Sequence, residues 1–146
     1  MIKVLVQVEA GSCERLLYNE KTLEHKGKEL MPRPFPYPYG FIPGTSAADG
    51  GCVDCYIITH DKLKGGSIVE CAPVGLLEQT EGDKVDHKVL AALPGQHVTP
   101  DQKLLEELRS FIYDLISSFS DASLQVGGIL PREAALQHIQ EFQDGH

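Results

Sequence analysis

Two aspartates, Asp49 and Asp54, stand on either side of a Gly50-Gly51 pair at the end of the stretch FPYPYGFIPGTSAADGGCVD, Phe35 to Asp54. Carboxylates carried on a short loop of small residues are hard oxygen donors of the kind that hold Mg²⁺ or Ca²⁺. The glycines let the chain turn tightly and come close to a ligand. Upstream, Pro32, Pro34, Pro36 and Pro38 alternate with other residues. Their fixed φ and missing donors exclude helix and interior strand from the segment and predict a stiff arm close to polyproline II. A rigid arm leading into an acidic loop can present a cation site. The same residue types also make ordinary surface loops.

Other chemistry-bearing residues carry less. Cys52-x-x-Cys55 invites a redox or zinc reading. There is no second C-x-x-C, and neither His60 nor Cys71 has a recognisable ligand spacing. On a strand, residues three apart face opposite sides, so these two thiols are expected to be small apolar strand residues. The six histidines are scattered, and none forms a metal-binding pair.

The elements that position the acids read as strands first and helices last. Ile2 to Val8 alternates and is β-branched, Arg15 to Tyr18 is a second short strand, and Asn19 to Lys28, with Gly27, is a hairpin turn and its flanks. After the arm, Cys52 to Thr59 is β-rich, and His60 to Gly66 is a turn. Ser67 to Leu77 reads as a strand interrupted by Pro73 and Gly75, Thr80 to Asp86 as an acidic loop, and His87 to Leu93 as another strand. Five to seven short strands suggest a barrel or a sandwich. Past Pro94-Gly95 the period changes. Thr99 is the expected N-cap, with Pro100 at the first helical position, and Leu104, Leu108, Phe111, Ile112, Leu115 and Phe119 recur at helical spacing to Phe119. Gly127-Gly128 breaks the chain, and Pro131 starts a second helix with Ala134, Ala135, Leu136, Ile139 and Phe142 as its apolar face. The class is α+β or helix-capped all-β.

At 146 residues the expectation is one domain, 1–146, with a real core. The formal charge of -8, from 13 Lys+Arg against 21 Asp+Glu, argues against nucleic acid or an anionic membrane as partner. No apolar run approaches the ~20 residues of a membrane helix. The N-terminus reads as a strand and not as a signal peptide, which points to the cytoplasm and to reduced Cys13, Cys52, Cys55 and Cys71.

Two blocks together resemble the soluble family I inorganic pyrophosphatases. Tyr37-Pro38-Tyr39-Gly40-Phe41-Ile42-Pro43-Gly44-Thr45 followed by Asp49-Gly50-Gly51-Cys52-Val53-Asp54 is similar to the family's Y-P-x-N-Y-G-[YF]-I-P-x-T and D-G-D-P-x-D. Pro73-Val74-Gly75-Leu76-Leu77, Thr80-Glu81, Asp86 and Lys88 are similar to P-V-G-x-L-x-M-x-D and D-x-K, in order and spacing. The resemblance implies an OB-like closed β-barrel with two C-terminal helices, Mg²⁺-dependent (or Mn²⁺-dependent) hydrolysis of diphosphate, and a homo-oligomer, commonly a hexamer. It implies a metal at Asp49, Asp54 and Asp86, with Glu81 in place of a further aspartate. It implies phosphate contacts for Tyr39, Lys88 and Arg15, and places Asp54 among the catalytic groups.

Several positions depart from the pattern. Gly51 stands where the central aspartate of D-x-D belongs, Leu17 and Gln7 stand at or near acids of the site, and Phe35 replaces a tyrosine. Pro38 replaces the asparagine, Leu115-Ile116 replace a Tyr-Lys pair, and only Arg33 or Lys28 is near the place of the arm arginine. A lost general base and fewer metal ligands imply weak hydrolysis. The alternatives are a non-catalytic phosphate- or metabolite-binding protein and a phosphohydrolase for another phosphate substrate.

Overall fold

The computed structural model describes residues 1–119 and 123–145. The alternating, β-branched Ile2–Val8 forms β1, and it pairs along both edges. On one side lies β4 (Tyr39–Ile42), antiparallel, with Leu5 opposite Phe41. On the other lies β6 (Ile68–Glu81), antiparallel, with Ile2 opposite Cys71. Between them the sheet continues from β4 to β5 (Val53–Ile57), then in parallel to β8 (Lys88–Ala92), then antiparallel to β6. The path β1-β4-β5-β8-β6 therefore returns to β1 and closes a ring. Closure leaves these strands no free edge and selects the barrel over the sandwich. A separate hairpin of β2 (Glu14–Tyr18) and β3 (His25–Leu30) lies beside β1.

Alternation along the strands divides two cores. Val53, Cys55 and Ile57 of β5 meet Val4, Val6, Leu76, Val89 and Ala91 across the ring. Tyr56, Leu77 and Leu90 face the other way, where α1 (Gln102–Ser117) covers them with Leu104, Leu105, Leu108, Ile112 and Leu115. The arm is pinned to α1 by Tyr37 Oη, which donates to Glu107 Oε1 at 2.5 Å, and by Arg33 Nε to Asp114 Oδ2 at 2.7 Å. Cys52 and Cys55 lie in different apolar clusters, as the alternation required, and all four cysteines are free thiols.

Several expectations are corrected. Tyr39–Ile42 is an interior strand, because the prolines flank it and leave its own donors intact; Gly40 is needed there, since a Cβ would lie 1.8 Å from the Leu5 carbonyl oxygen. The strand from Ile68 passes Pro73 and Gly75 with a register shift and runs on to Glu81, where β7 (Lys84–Val85) folds back on it, so the acidic loop is a hairpin tip. That makes eight strands through Ala92, one more than the upper expectation. Gly127-Gly128 does not break the chain but lies inside β9 (Leu124–Pro131), which runs so close to β6 that a Cβ on Gly127 would lie 3.1 Å from that of Glu78. The cap of α1 is Asp101, whose carboxylate accepts from Leu104 N–H at 3.0 Å, and the helix ends at Ser117, leaving Phe119 exposed. In α2 (Arg132–Glu141), Leu136 is exposed, and the buried positions are Ala135 and His138.

Candidate active site

Parallel pairing sets the centre of the site. Cys55 of β5 stands opposite Val89 of β8, so the residues just before them, Asp54 and Lys88, come side by side. Lys88 Nζ donates to Asp54 Oδ2 at 2.8 Å and to Asp86 Oδ1 and Oδ2 at 3.2 and 3.1 Å. It also donates to Tyr39 Oη at 3.2 Å, from the neighbouring end of β4. Two residues along β5 on the same face, Tyr56 stacks at a tilt on Tyr39 with ring centroids 4.8 Å apart. Together these groups floor a cavity of about 230 Å³ on the flank of the ring, beneath the arm and α1. All seven residues assigned to the site from sequence line it: Tyr39, Asp54, Asp86 and Lys88, joined by Arg15 from β2, Asp49 from the loop before β5 and Glu81 from the end of β6.

The electrostatics follow from one ammonium among several acids. Burial works to lower the pKa of Lys88, and the charges of Asp54 first and Asp86 next outweigh it and hold the amine protonated well above its ordinary range. Burial also raises the Asp86 carboxyl, and the charges of Asp54 and Asp49 add to that rise against the pull of Lys88. A single buried ammonium thus leaves the carboxylates under-compensated, which is the condition that draws in a further cation. The Tyr39 hydroxyl, raised well above its ordinary value by burial first and by Asp54 next, stays protonated and able to donate. The donors are all carboxylate oxygens, which suits a hard divalent ion. Among the described residues, no three acids, histidines or cysteines converge as a ready-made cage. Lys88 sits between two of the acids instead.

Other assigned or suspected positions lie elsewhere. Arg33 is held by Asp114, and Lys28 Nζ lies 3.3 Å from Glu14, so neither replaces the arm arginine in the cavity. Gln7 is buried against a different hollow, donating to the Leu16 carbonyl at 3.0 Å. Leu17 lines no part of the cavity, and Asp83 faces a separate hollow by His87 and His138.

Two side chains escaped the sequence reading. Gln79, 4% exposed, lines the cavity, and its Oε1 has no hydrogen-bond partner. The signal for it was an amide where the resembling pattern has methionine, two residues before Glu81 on the same strand. Glu20, in the turn after β2, accepts from Cys52 N–H at 2.7 Å. Its Oε1 lies 3.3 Å from where a Cβ on Gly51 would stand, with Asp49 Oδ1 at 3.6 Å. Nothing in the local sequence around Glu20 links it to Gly51, 31 positions away; only the folded hairpin does.

The fold is that of the inorganic pyrophosphatases of known structure. The enzyme from Neisseria gonorrhoeae superposes with a TM-score of 0.86 over 96% of this chain and 87% of its own, at 22% identity. That from Thermus thermophilus gives 0.83 over 94% and 86%, at 25% identity. The chain belongs to the inorganic pyrophosphatase family, whose model matches residues 4–144. It is 35% identical over 88 residues to the inorganic pyrophosphatase of Aquifex pyrophilus, a match covering 58% of this chain and 49% of that protein. Its match to that of Nanoarchaeum equitans is 36% over 107 residues, covering 73% and 66%. The chain thus spans about half the length of the first of these relatives and about two thirds of the second.

Proposed function

We propose that this protein hydrolyses diphosphate to two phosphates with Mg²⁺, or Mn²⁺, and does so weakly. The observation that carries this reading is the convergence of Arg15, Tyr39, Asp49, Asp54, Glu81, Asp86 and Lys88 on one cavity. Asp49, Asp54 and Asp86, with Glu81, would hold the metal. Bound there, it would neutralise phosphate oxygens and lower the pKa of a water ligand. The chain's own groups supply the rest. Lys88, kept protonated by its carboxylates, offers a buried positive charge to a phosphate oxygen. Tyr39 Oη donates from the cavity floor, and Arg15 offers a guanidinium at the mouth, where its Nη1 lies 3.5 Å from Glu29. Asp54 accepts from Lys88 Nζ at 2.8 Å, which fixes the ammonium, and would be one of the carboxylates that hold the metal. Gly51 presents no carboxylate at the place of the central acid, so proton removal from the attacking water lacks its usual base, a loss worth ~10²–10⁴-fold in rate.

The same reading makes residues 1–146 one catalytic domain working in the cytoplasm as a homo-oligomer, a hexamer by family resemblance, on a small phosphate substrate. No helix among the described residues is long and apolar enough to cross a membrane. The test is phosphate release from diphosphate with and without Mg²⁺, beside calorimetric Mg²⁺ titration of the unmodified protein and of Asp54→Asn. Metal-dependent release and strongly weakened metal binding in the variant are expected. No release at any Mg²⁺ concentration would remove the activity, and unchanged metal binding in Asp54→Asn would remove the site assignment.

A further inference from the structure

The charged floor of the cavity is faced by a wall of carbon. Met31 and Phe35 come from the arm, and Ile112, Leu115 and Ile116 from the last turns of α1. The wall is built into the main core: Phe35 packs edge-on against Phe111 of the same helix with ring centroids 4.8 Å apart, and Ile112 and Leu115 belong to the buried cluster beneath. No basic residue stands in the last turn of α1. Among the described residues, the basic side chains of the lining are Arg15 and Lys88, and Lys88 already serves two carboxylates. Arg33, the nearest cation on the arm, is turned away to Asp114.

A bare diphosphate carries charged oxygens at both ends. In this cavity one end would meet Lys88, Tyr39 and the acids, and the other would be pressed against Phe35, Leu115 and Ile116. Taking charged oxygens out of water without partners is costly. A diphosphate esterified at one end with a compact apolar alcohol fits both faces. Its terminal phosphate takes the charged floor, its hydrocarbon takes the wall, and it carries less negative charge for two cations to balance.

We propose that the preferred substrate class of this site is a diphosphate monoester of a small apolar alcohol, cleaved at the anhydride. The proposal rests on the hydrolytic reading above. The bond between the terminal phosphorus and the bridging oxygen breaks, and a water oxygen bonds to that phosphorus. The bridging oxygen stays on the ester phosphate, and the two protons of the water leave on dihydrogen phosphate. No oxidant, reductant or second substrate is needed.

The experiment compares kcat/KM for butyl diphosphate and for inorganic diphosphate on the full-length protein with Mg²⁺, in the unmodified form and in Ile116→Lys, with Ile116→Val as the conservative control. A methylene-sized difference in an apolar pocket is worth at least about tenfold, so butyl diphosphate is expected to lead by at least that factor. Ile116→Lys, which places a cation on the wall, should cut the ratio by about tenfold or more, and Ile116→Val, which keeps the wall apolar, should cut it less than Ile116→Lys does. Because the ratio in the unmodified protein is decisive by itself, a variant that fails to fold does not shield the proposal. Butyl diphosphate turnover without inorganic diphosphate turnover upholds the inference and narrows the proposed function. Inorganic diphosphate turned over as well as or better than the ester overturns the inference and leaves the hydrolytic reading standing. Turnover of neither compound overturns both.

Discussion

Removing the amine of Lys88 tests how the site is held together. Lys88→Met keeps the length and apolar stem of the side chain and deletes the charge shared by Asp54 and Asp86. The lysine side chain is 7% exposed, and the two carboxylates are 17% and 24% exposed, so all three are largely out of water. Breaking a buried ion pair by removing one partner costs about 3–5 kcal/mol, because the other is left uncompensated. Total stability of a domain is about 5–15 kcal/mol. At about 2–4 °C per kcal/mol, the melting temperature should fall by about 6–20 °C. The loss should depend on pH with a definite sign. The Asp86 carboxyl is already raised by burial, with Asp54 and Asp49 adding to the rise against Lys88, and without the ammonium it rises further. A carboxylate raised in the folded state stabilises fully below its unfolded pKa and loses that contribution as pH climbs through the folded one. The gap between variant and unmodified protein should therefore narrow from about pH 7 to about pH 4. Mg²⁺ should stabilise the variant by about 2.7 kcal/mol at a hundred times its dissociation constant, and should narrow the gap only to the extent that the variant, freed of the competing ammonium, binds the ion more tightly than the parent. Thermal melts over a grid of pH and Mg²⁺ measure all three effects. A variant as stable as the parent, or a loss indifferent to pH, would refute the account of Lys88 as the counter-ion of both acids.

Three further outcomes are expected. Leu108, fully buried on the inner face of α1, should cost about 2–5 kcal/mol when cut to alanine, read as a lower melting temperature with an unchanged far-UV spectrum. His138 packs against Phe142 and His87, and burial first, then the charge of His87, hold it below the usual imidazole range, with Glu141 pulling the other way. A histidine lowered in the folded state adds stability above its unfolded pKa that is lost as pH falls, so His138→Gln should flatten the acid side of the stability profile below about pH 6.5. Gly51→Asp alone should gain little activity, because its Cβ would stand 3.3 Å from Glu20 Oε1 and 3.6 Å from Asp49 Oδ1. Combined with Glu20→Ala, which removes the crowding atoms, it should gain more in phosphate release, and equal activity of the single and double variants would show that Glu20 does not crowd the position.

The fold was legible where residue type and period agreed. Ile2 to Val8, Cys52 to Thr59 and the leucine stripe of α1 each repeat at the period of the element they form. Misreadings came from treating Pro and Gly as stops. Pro38 and Pro43 frame β4 without entering it, Pro73 is taken up by a register shift in β6, and Gly127 is a glycine because β6 comes too close for a side chain. In each case a neighbouring strand supplied the hydrogen bonds or the crowding that decided the outcome, and such partners are invisible along the chain. The cap of α1 is a closer contest: Thr99 and Asp101 are both good N-cap types, and Asp101 is the one whose carboxylate reaches Leu104 N–H.

The charged half of the site was legible because each of its residues except Arg15 sits in a short motif, and the apolar half was not because its wall sits in none. Asp49 and Asp54 share a loop and strand, Asp86 and Lys88 are two apart, and one parallel register between β5 and β8 joins the two pairs. The wall, by contrast, is drawn from the arm and from the far end of α1, about eighty residues later in the chain. Leu115 and Ile116 read from sequence as core and as missing polar groups; in place, they are a surface offered to whatever lies on Lys88. That changes how their departure from the family pattern is to be understood. Loss of a Tyr-Lys pair by itself predicts only a weaker site. Two large apolar side chains, backed by Phe35 and Ile112 and lining one cavity with Asp49, Asp54, Glu81 and Asp86, are what the ester proposal rests on. Phosphate release from inorganic diphosphate probes the charged floor of the cavity, and the comparison with butyl diphosphate probes the apolar wall as well.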